Sequence, residues 1–386
     1  MAKATVGSGR LILAAIFAIF VYGMIAAMLG TILPSFRFNP EDSGKVAMAQ
    51  AFGLVLASLI AGPIADNKGK KVVLVVGLGL IAAALFLLSG ADPDVGQVSM
   101  FLFILGFGGG MLVTSANALV SDINEEKRAS TLNFLNLFFG LGGLATPFVA
   151  ANLLGGVAEQ IARVAAILTL AVFVLHIVTP MPGPTGTRGF KMAEVGQVLG
   201  RPALWMLSLF LFLYVACEVG VWNWLAKYLI SRGIPENNAL NILSLGFALG
   251  LLIGRVVISR VLIRVPAPTV TLGAAAAMAL TTWLMLQTGD PTIAAIAVFC
   301  AGLAMAPVFP TTLAMVGDAF PVATATAMGI VITFGWIGLA VSSPLIGGIA
   351  GGDDTRLGTA LLLLPAFSVL MVLVNLALRP MLRTRR

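Results

Sequence analysis

Charge is what this sequence has least of. Only 10% of its 386 residues are Asp, Glu, Lys or Arg, where an ordinary soluble domain has about 25%. With 59% hydrophobic residues there is too little polar surface to face water, and a mean hydropathy of +1.03 makes lipid the main solvent. Histidine occurs once, as His176, and cysteine twice, as Cys217 and Cys300, each inside an apolar run. That scarcity excludes a disulfide framework and a His/Cys metal site. No zinc motif, nucleophile–base set or phosphate loop is present, and the Gly106, Gly108, Gly109, Gly110 run lies inside an apolar segment where a nucleotide loop has no place. A catalytic function and a cofactor are therefore not expected. The net charge of +7 suggests nucleic acid in a soluble protein, but here basic residues in loops act as topology signals, and no nucleic-acid partner is expected.

What is present is apolar and long. Twelve runs of spanning length lie at roughly 11–35, 44–64, 72–90, 98–121, 130–154, 160–180, 203–230, 237–259, 268–288, 292–316, 323–350 and 357–378. The first is longer than the roughly 7–15 residues of a signal-peptide core, so it reads as a retained helix. The longest connection, Met181–Pro202, is rich in Pro and Gly and divides the runs six and six. We expect an all-α membrane protein in which 1–180 and 203–386 form two six-helix bundles joined by the linker 181–202. Placing both termini in the cytoplasm puts 17 of the 23 Lys and Arg on that side, including Arg255, and 6 on the other, including Lys227. The expected location is multi-pass in a bacterial inner (plasma) membrane, as a monomer.

The halves repeat. Ala51-Phe52-Gly53-Leu54 matches Ala248-Leu249-Gly250-Leu251, Ala118-Leu119-Val120-Ser121-Asp122 matches Ala314-Met315-Val316-Gly317-Asp318, and Pro147 matches Pro344, at offsets of 196 or 197. Parallel repeats of this kind place a solute site at their interface near the middle of the membrane, related by a pseudo-two-fold axis.

One acid stands against the apolar background. Glu218 lies inside the seventh run, with Trp222 one helical turn later and Asn223 beside it. An ionisable group at that depth costs roughly 2.5–3.5 kcal/mol on insertion scales, so it must face a cavity or a partner. Thr114 and Asn117 share a face of the fourth run, and Asn133 and Asn136 lie in the fifth. Amides in hydrocarbon either tie helices together or bind a polar solute. Pro307 and Pro310 must interrupt the tenth run, and Trp336 stands in the eleventh.

The loop Gly62-Pro63-Ile64-Ala65-Asp66-Asn67-Lys68-Gly69-Lys70-Lys71 resembles the signature of the major facilitator superfamily. That resemblance implies a gating latch formed by Gly62, Asp66, Gly69, Lys70 and Lys71, with Asp66 meeting the eleventh helix. The stretch Phe212-Leu213-Tyr214-Val215-Ala216-Cys217-Glu218-Val219-Gly220-Val221-Trp222-Asn223-Trp224 resembles the fucose–galactose–glucose:proton symporter branch, as does Leu132-Asn133 through Gly142. The branch implies a sugar-like small-molecule substrate with H+ or another cation as partner. It departs from the branch pattern in the first and fourth runs, where the expected acids are missing and Val113 stands at one of them. Ion coupling then rests on Glu218 or is absent. The expected solute ligands are Glu218, Trp222, Asn223, Asn117, Asn133, Asn136, Thr114 and Trp336. An exporter of amphipathic drugs or lipids is the alternative, motivated by 16 Met and 23 Phe, and a membrane receptor or enzyme is a distant third.

Overall fold

The computed structural model describes residues 8–90, 94–123, 128–183, 199–262, 264–320 and 324–383. Among them, twelve helices are long and apolar enough to cross a membrane. In chain order they are α1 (Ser8–Phe36), α2 (Pro40–Lys68), α3 (Lys70–Leu88), α4 (Val95–Ile123), α5 (Arg128–Leu153), α6 (Ala158–Val178), α7 (Pro202–Ser231), α8 (Glu236–Ile258), α9 (Ala267–Leu284), α10 (Pro291–Ala319), α11 (Thr324–Ala350) and α12 (Asp354–Leu382). The protein is an all-α, multi-pass membrane protein of two six-helix bundles, because in lipid each helix satisfies its own backbone groups.

Polar residues set the helix starts. Asn39 caps α2 by accepting from the Asp42 N–H, with Pro40 at the first helical position and Glu41 and Asp42 favouring the positive end of the helix. Asp290 caps α10 through the N–H groups of Thr292 and Ile293. As the prolines require, α10 is broken: one piece ends at Met305 and the next begins at Val308. A second irregularity is absent from the sequence reading. Residues Ile242–Ala248 of α8 form a π-helix, a widened turn that shifts the register of everything after it.

The sequence repeat reappears as matched helix crossings. In the first half, Gly53 of α2 lies on the Phe103 carbonyl of α4, and Gly106 of α4 on the Gln50 carbonyl of α2. In the second, Gly250 of α8 lies on the Phe299 carbonyl of α10, and Gly302 of α10 on the Phe247 carbonyl of α8. A Cβ at any of the four would overlap the facing oxygen. The pairs are separated by 197 (250 − 53) and 196 (302 − 106), as in the sequence matches. Small residues at a crossing let backbones touch, which is how helices associate where no hydrophobic force separates lipid from side chain.

The halves meet along three seams. Gly30 of α1 packs on the Trp222 carbonyl of α7. Gly347 of α11 sits where a Cβ would come within 2.5 Å of the Pro40 carbonyl of α2. Ser244 of α8 donates to the Leu144 carbonyl of α5 at 2.7 Å. At the end carrying the α1–α2 and α7–α8 turns, Asn152 of α5 and Asn241 of α8 exchange side-chain hydrogen bonds. At the same end, Lys227 of α7 donates to the Phe38 carbonyl and to Ser43 Oγ, with Asp354 at 3.5 Å. Lys227 was counted with the loops; it is only 7% exposed, its apolar stem running along α7 while the ammonium crosses to the other half.

Candidate functional site

Helix α7 presents one polar face to the centre. Tyr214, Glu218 and Trp222 are spaced four apart, and all three are buried. Trp222 meets Phe247 of α8 edge-on, ring centroids 5.0 Å apart. Its far edge would lie 3.0 Å from a Cβ on Gly143, so glycine in α5 makes room for the indole. Across from Glu218 stands Tyr22 of α1, close enough to feel the carboxylate's charge. Tyr22 packs against Phe139 of α5 at 5.4 Å and edge-on against Trp336 of α11 at 6.4 Å. Rings from α1, α5 and α11 thus form one contact chain, Phe139–Tyr22–Trp336, and rings from α7 and α8 another, Trp222–Phe247.

A cation enters the same centre. Arg255 of α8 lies over the Phe139 ring at 5.4 Å and donates through Nη1 to the Asn136 carbonyl of α5 at 2.9 Å. Gly140, one turn after Asn136, opens the α5 surface: a Cβ there would press Leu252 at 3.2 Å and approach Arg255 Nη1 at 3.6 Å. The guanidinium charge acts on both Glu218 and Tyr214. Arg255, expected among the cytoplasmic-side charges, lies inside α8, seven residues beyond the π-helix.

The centre is polar without being satisfied. Glu218 Oε1, Tyr214 OH, Trp222 Nε1, Trp336 Nε1 and Arg255 Nε are buried and reach no hydrogen-bond geometry with the protein. Tyr214 and Trp222 approach the Glu218 carboxylate without closing that gap. Buried polar atoms nearly always have partners, so several orphans around one point mark a place where something else supplies them. The set combines one carboxylate acceptor with phenol, indole and guanidinium donors on aromatic walls.

Of the residues expected from sequence to contact solute, Glu218, Trp222 and Trp336 come together here, and Asn136 contributes its carbonyl. Asn223 points elsewhere and donates to Ser343 Oγ of α11 at 3.1 Å, tying two helices. Asn117 donates to the Val113 carbonyl one turn back in α4 at 2.7 Å, and Thr114 is half-buried on that helix. The Asn133 side chain lies outside the described residues, as do the surroundings of Gly62 and the side chain of Asp66 in the signature loop. In that loop Gly69 turns at φ 91°, a value glycine adopts freely, and Lys71 donates to the Ile177 carbonyl at the end of α6 at 2.7 Å. Lys70 is half-buried. Sequence reasoning missed Tyr22, Phe139, Phe247 and Arg255. Tyr214 carried a usable signal, one turn before Glu218, and so did an arginine inside the apolar run after Gly254. Among the described residues no group of His, Cys, Asp and Glu is arranged to hold a metal ion.

Comparison with known proteins agrees with this architecture. The chain is 32% identical over 152 residues to the 4-hydroxybenzoate transporter PcaK of Pseudomonas aeruginosa, covering 38% of this chain and 33% of the relative. It is 23% identical over 379 residues to the glucose/mannose transporter GlcP of Bacillus subtilis, covering 92% and 90%. The chain spans about a third to about a half of the length of the first curated relatives it matches. The solved fold of the nucleoside transporter NupG (D323A mutant) superposes with a TM-score of 0.81 at 15% identity, covering 96% of this chain and 99% of that one. That of the E. coli fucose:proton symporter FucP (N162A) gives 0.68 at 18%, covering 95% and 98%. At these identities the two structures speak to fold, and the resemblance to the fucose symporter branch stands as one of fold and helix pattern. The Major Facilitator Superfamily sequence model matches residues 11–341, most of the chain, and the chain belongs to that family of membrane transporters.

Proposed function

We propose that this transporter moves a small, neutral, polyhydroxylated solute of hexose size by alternating access, with Glu218 as the proton-carrying group where transport is proton-driven. One observation carries the reading: a carboxylate acceptor and the unpartnered donors of Tyr214 and Trp222 lie buried on one face of α7, and another unpartnered indole, that of Trp336, meets Tyr22 of the other half edge-on. A sugar hydroxyl both donates and accepts, so a ring of hydroxyls can partner such a mixed set. Its apolar C–H faces suit indole and phenol walls. The names of GlcP and FucP favour a hexose; those of PcaK and NupG name other solutes and define the panel to be tested.

The working unit is the monomer, with residues 1–180 and 203–386 as the two moving bodies and both termini in the cytoplasm. In that orientation the end stitched by Lys227 and the Asn152–Asn241 pair faces outward. The signature-loop residues Gly62, Asp66, Gly69, Lys70 and Lys71 then act at the inner end as the gate.

The test is uptake of labelled monosaccharides into proteoliposomes, with and without an inward proton gradient. Accumulation of a hexose by wild type, lost when the gradient is collapsed, is the expected result. No transport of any monosaccharide would sink the reading. Accumulation that persists unchanged in Glu218→Gln would leave Glu218 as a ligand and remove it as the proton carrier.

A further inference from the structure

We infer that Arg255 is a second solute-binding residue, and that with Glu218 it forms a charge-balanced pair that selects neutral solutes over carboxylates. The inference rests on the proposed solute class and deepens it. Three geometric facts carry it. The guanidinium reaches across the seam between the halves, held at one nitrogen by the Asn136 carbonyl and on one face by the Phe139 ring. Its Nε remains buried and without a protein partner. Phe139, Tyr22 and Trp336 then lead from Arg255 to the orphaned indole nitrogen on the far wall.

The logic is electrostatic. A lone charge in a low-dielectric centre is costly, and a pair of opposite sign is tolerated. In the state where Glu218 is ionised, its charge and that of the always-charged Arg255, on the neighbouring helix α8, are of opposite sign and offset each other. A neutral solute can then donate a hydroxyl proton to Glu218 and accept from Arg255 without disturbing the balance. A carboxylate solute would add an uncompensated negative charge. The arrangement also predicts how the preference reverses: neutralising Glu218 leaves the guanidinium unbalanced, and the site becomes an anion receptor.

D-glucose and D-glucuronate share a ring and differ by a carboxylate, so they separate these cases. Binding is read on the purified full chain as the solute-dependent rise in Tm, which also reports whether each variant is folded, and then as competition for uptake in proteoliposomes. At the alkaline end of the assay range, where Glu218 is ionised, wild type should respond to D-glucose and ignore D-glucuronate; proton-loaded at the acid end, it should behave as Glu218→Gln does. Arg255→Met should bind D-glucose roughly tenfold to a hundredfold more weakly, the usual worth of a hydrogen bond to a charged group. Glu218→Gln should acquire a response to D-glucuronate, and the double variant Glu218→Gln/Arg255→Met should lose it. If Arg255→Met shows no folding transition, Arg255→Lys replaces it, with a smaller expected loss because the fork is gone and the charge kept. Wild-type glucose affinity in a folded Arg255 variant, or no glucuronate response in Glu218→Gln, overturns the inference. A wild type that responds to no neutral sugar overturns the proposed function instead, and a glucuronate response gained by Glu218→Gln would still uphold the role of Arg255.

Discussion

At the scale of single residues, the centre is governed by side chains that make incomplete sets of bonds. Trp222 shows the division of labour. Its ring packs on Phe247 and fits beside Gly143, while its Nε1 stays unpartnered. Trp222→Phe keeps a smaller aromatic wall, removes the donor and gives up the indole edge beside Gly143. One neutral hydrogen bond is worth about 1 kcal/mol, so the KM for the transported sugar should rise at least about fivefold. An unchanged KM in uptake assays would take Trp222 Nε1 out of the site. Glycine is as specific at this scale as the aromatics. Gly30 exists because the Trp222 carbonyl occupies the space a side chain would need.

At the scale of helices, the π-helix of α8 decides which residues of that helix face the centre. A π-turn amounts to one extra residue within an α-helical frame. Removing Leu245, which is 46% exposed on the outer face of the π-segment, restores the ordinary frame. The π-segment holds one residue more than the α-helical stretch it replaces, so Arg255 and everything after the deletion should keep their faces, the contact with α5 included. We expect the deletion variant to insert, to show a cooperative thermal transition and to keep sugar uptake. Lost uptake in a folded deletion variant would show that Leu245 does more than fill the extra place in the turn. Lys227 is the counterpart on α7. Lys227→Met removes its bonds to the Phe38 carbonyl and to Ser43, and its contact with Asp354. Amide hydrogen exchange in residues 37–43 should accelerate by an order of magnitude or so, since one charged hydrogen bond is worth about 1.5–3 kcal/mol. Protection equal to wild type would mean the turn is held by other contacts.

At the scale of the whole molecule, the two bundles close on each other through glycine seams at one end. Gly30→Val places a branched side chain into the Trp222 carbonyl across the α1–α7 seam. Each bundle keeps its own crossings, so the variant should remain monodisperse in detergent. The seam cannot close, so sugar exchange across proteoliposomes should fall to background. Wild-type exchange by a folded Gly30→Val protein would show that transport does not pass through this closed arrangement. Both the repeat and its departures matter here. The matched Gly53/Gly106 and Gly250/Gly302 crossings make the bundles alike, while Glu218 and Arg255, both from the second bundle, make the centre asymmetric.

Hydrophobic run length, the Pro–Gly midpoint and the repeated offsets determined the twelve helices and the six-plus-six division, because a lipid solvent ties backbone satisfaction to local helix formation; the family showed in the resemblance of the 62–71 loop to its signature. The same local logic identified Glu218 and Trp222, which share a helix face, and the break at Pro307. What only the tertiary structure decided were contacts between residues far apart in the chain. Arg255 read as a topology charge until α8 brought it onto Phe139 and Asn136. Tyr22 lies in the first apolar run with nothing in the sequence to mark it, and only the fold brings it onto Trp336. Asn223 read as a ligand beside its neighbours until Ser343 took its amide. Periodicity assigns a residue to a face, but which faces meet depends on glycine-level packing and on one π-turn whose widened register no apolar pattern announces.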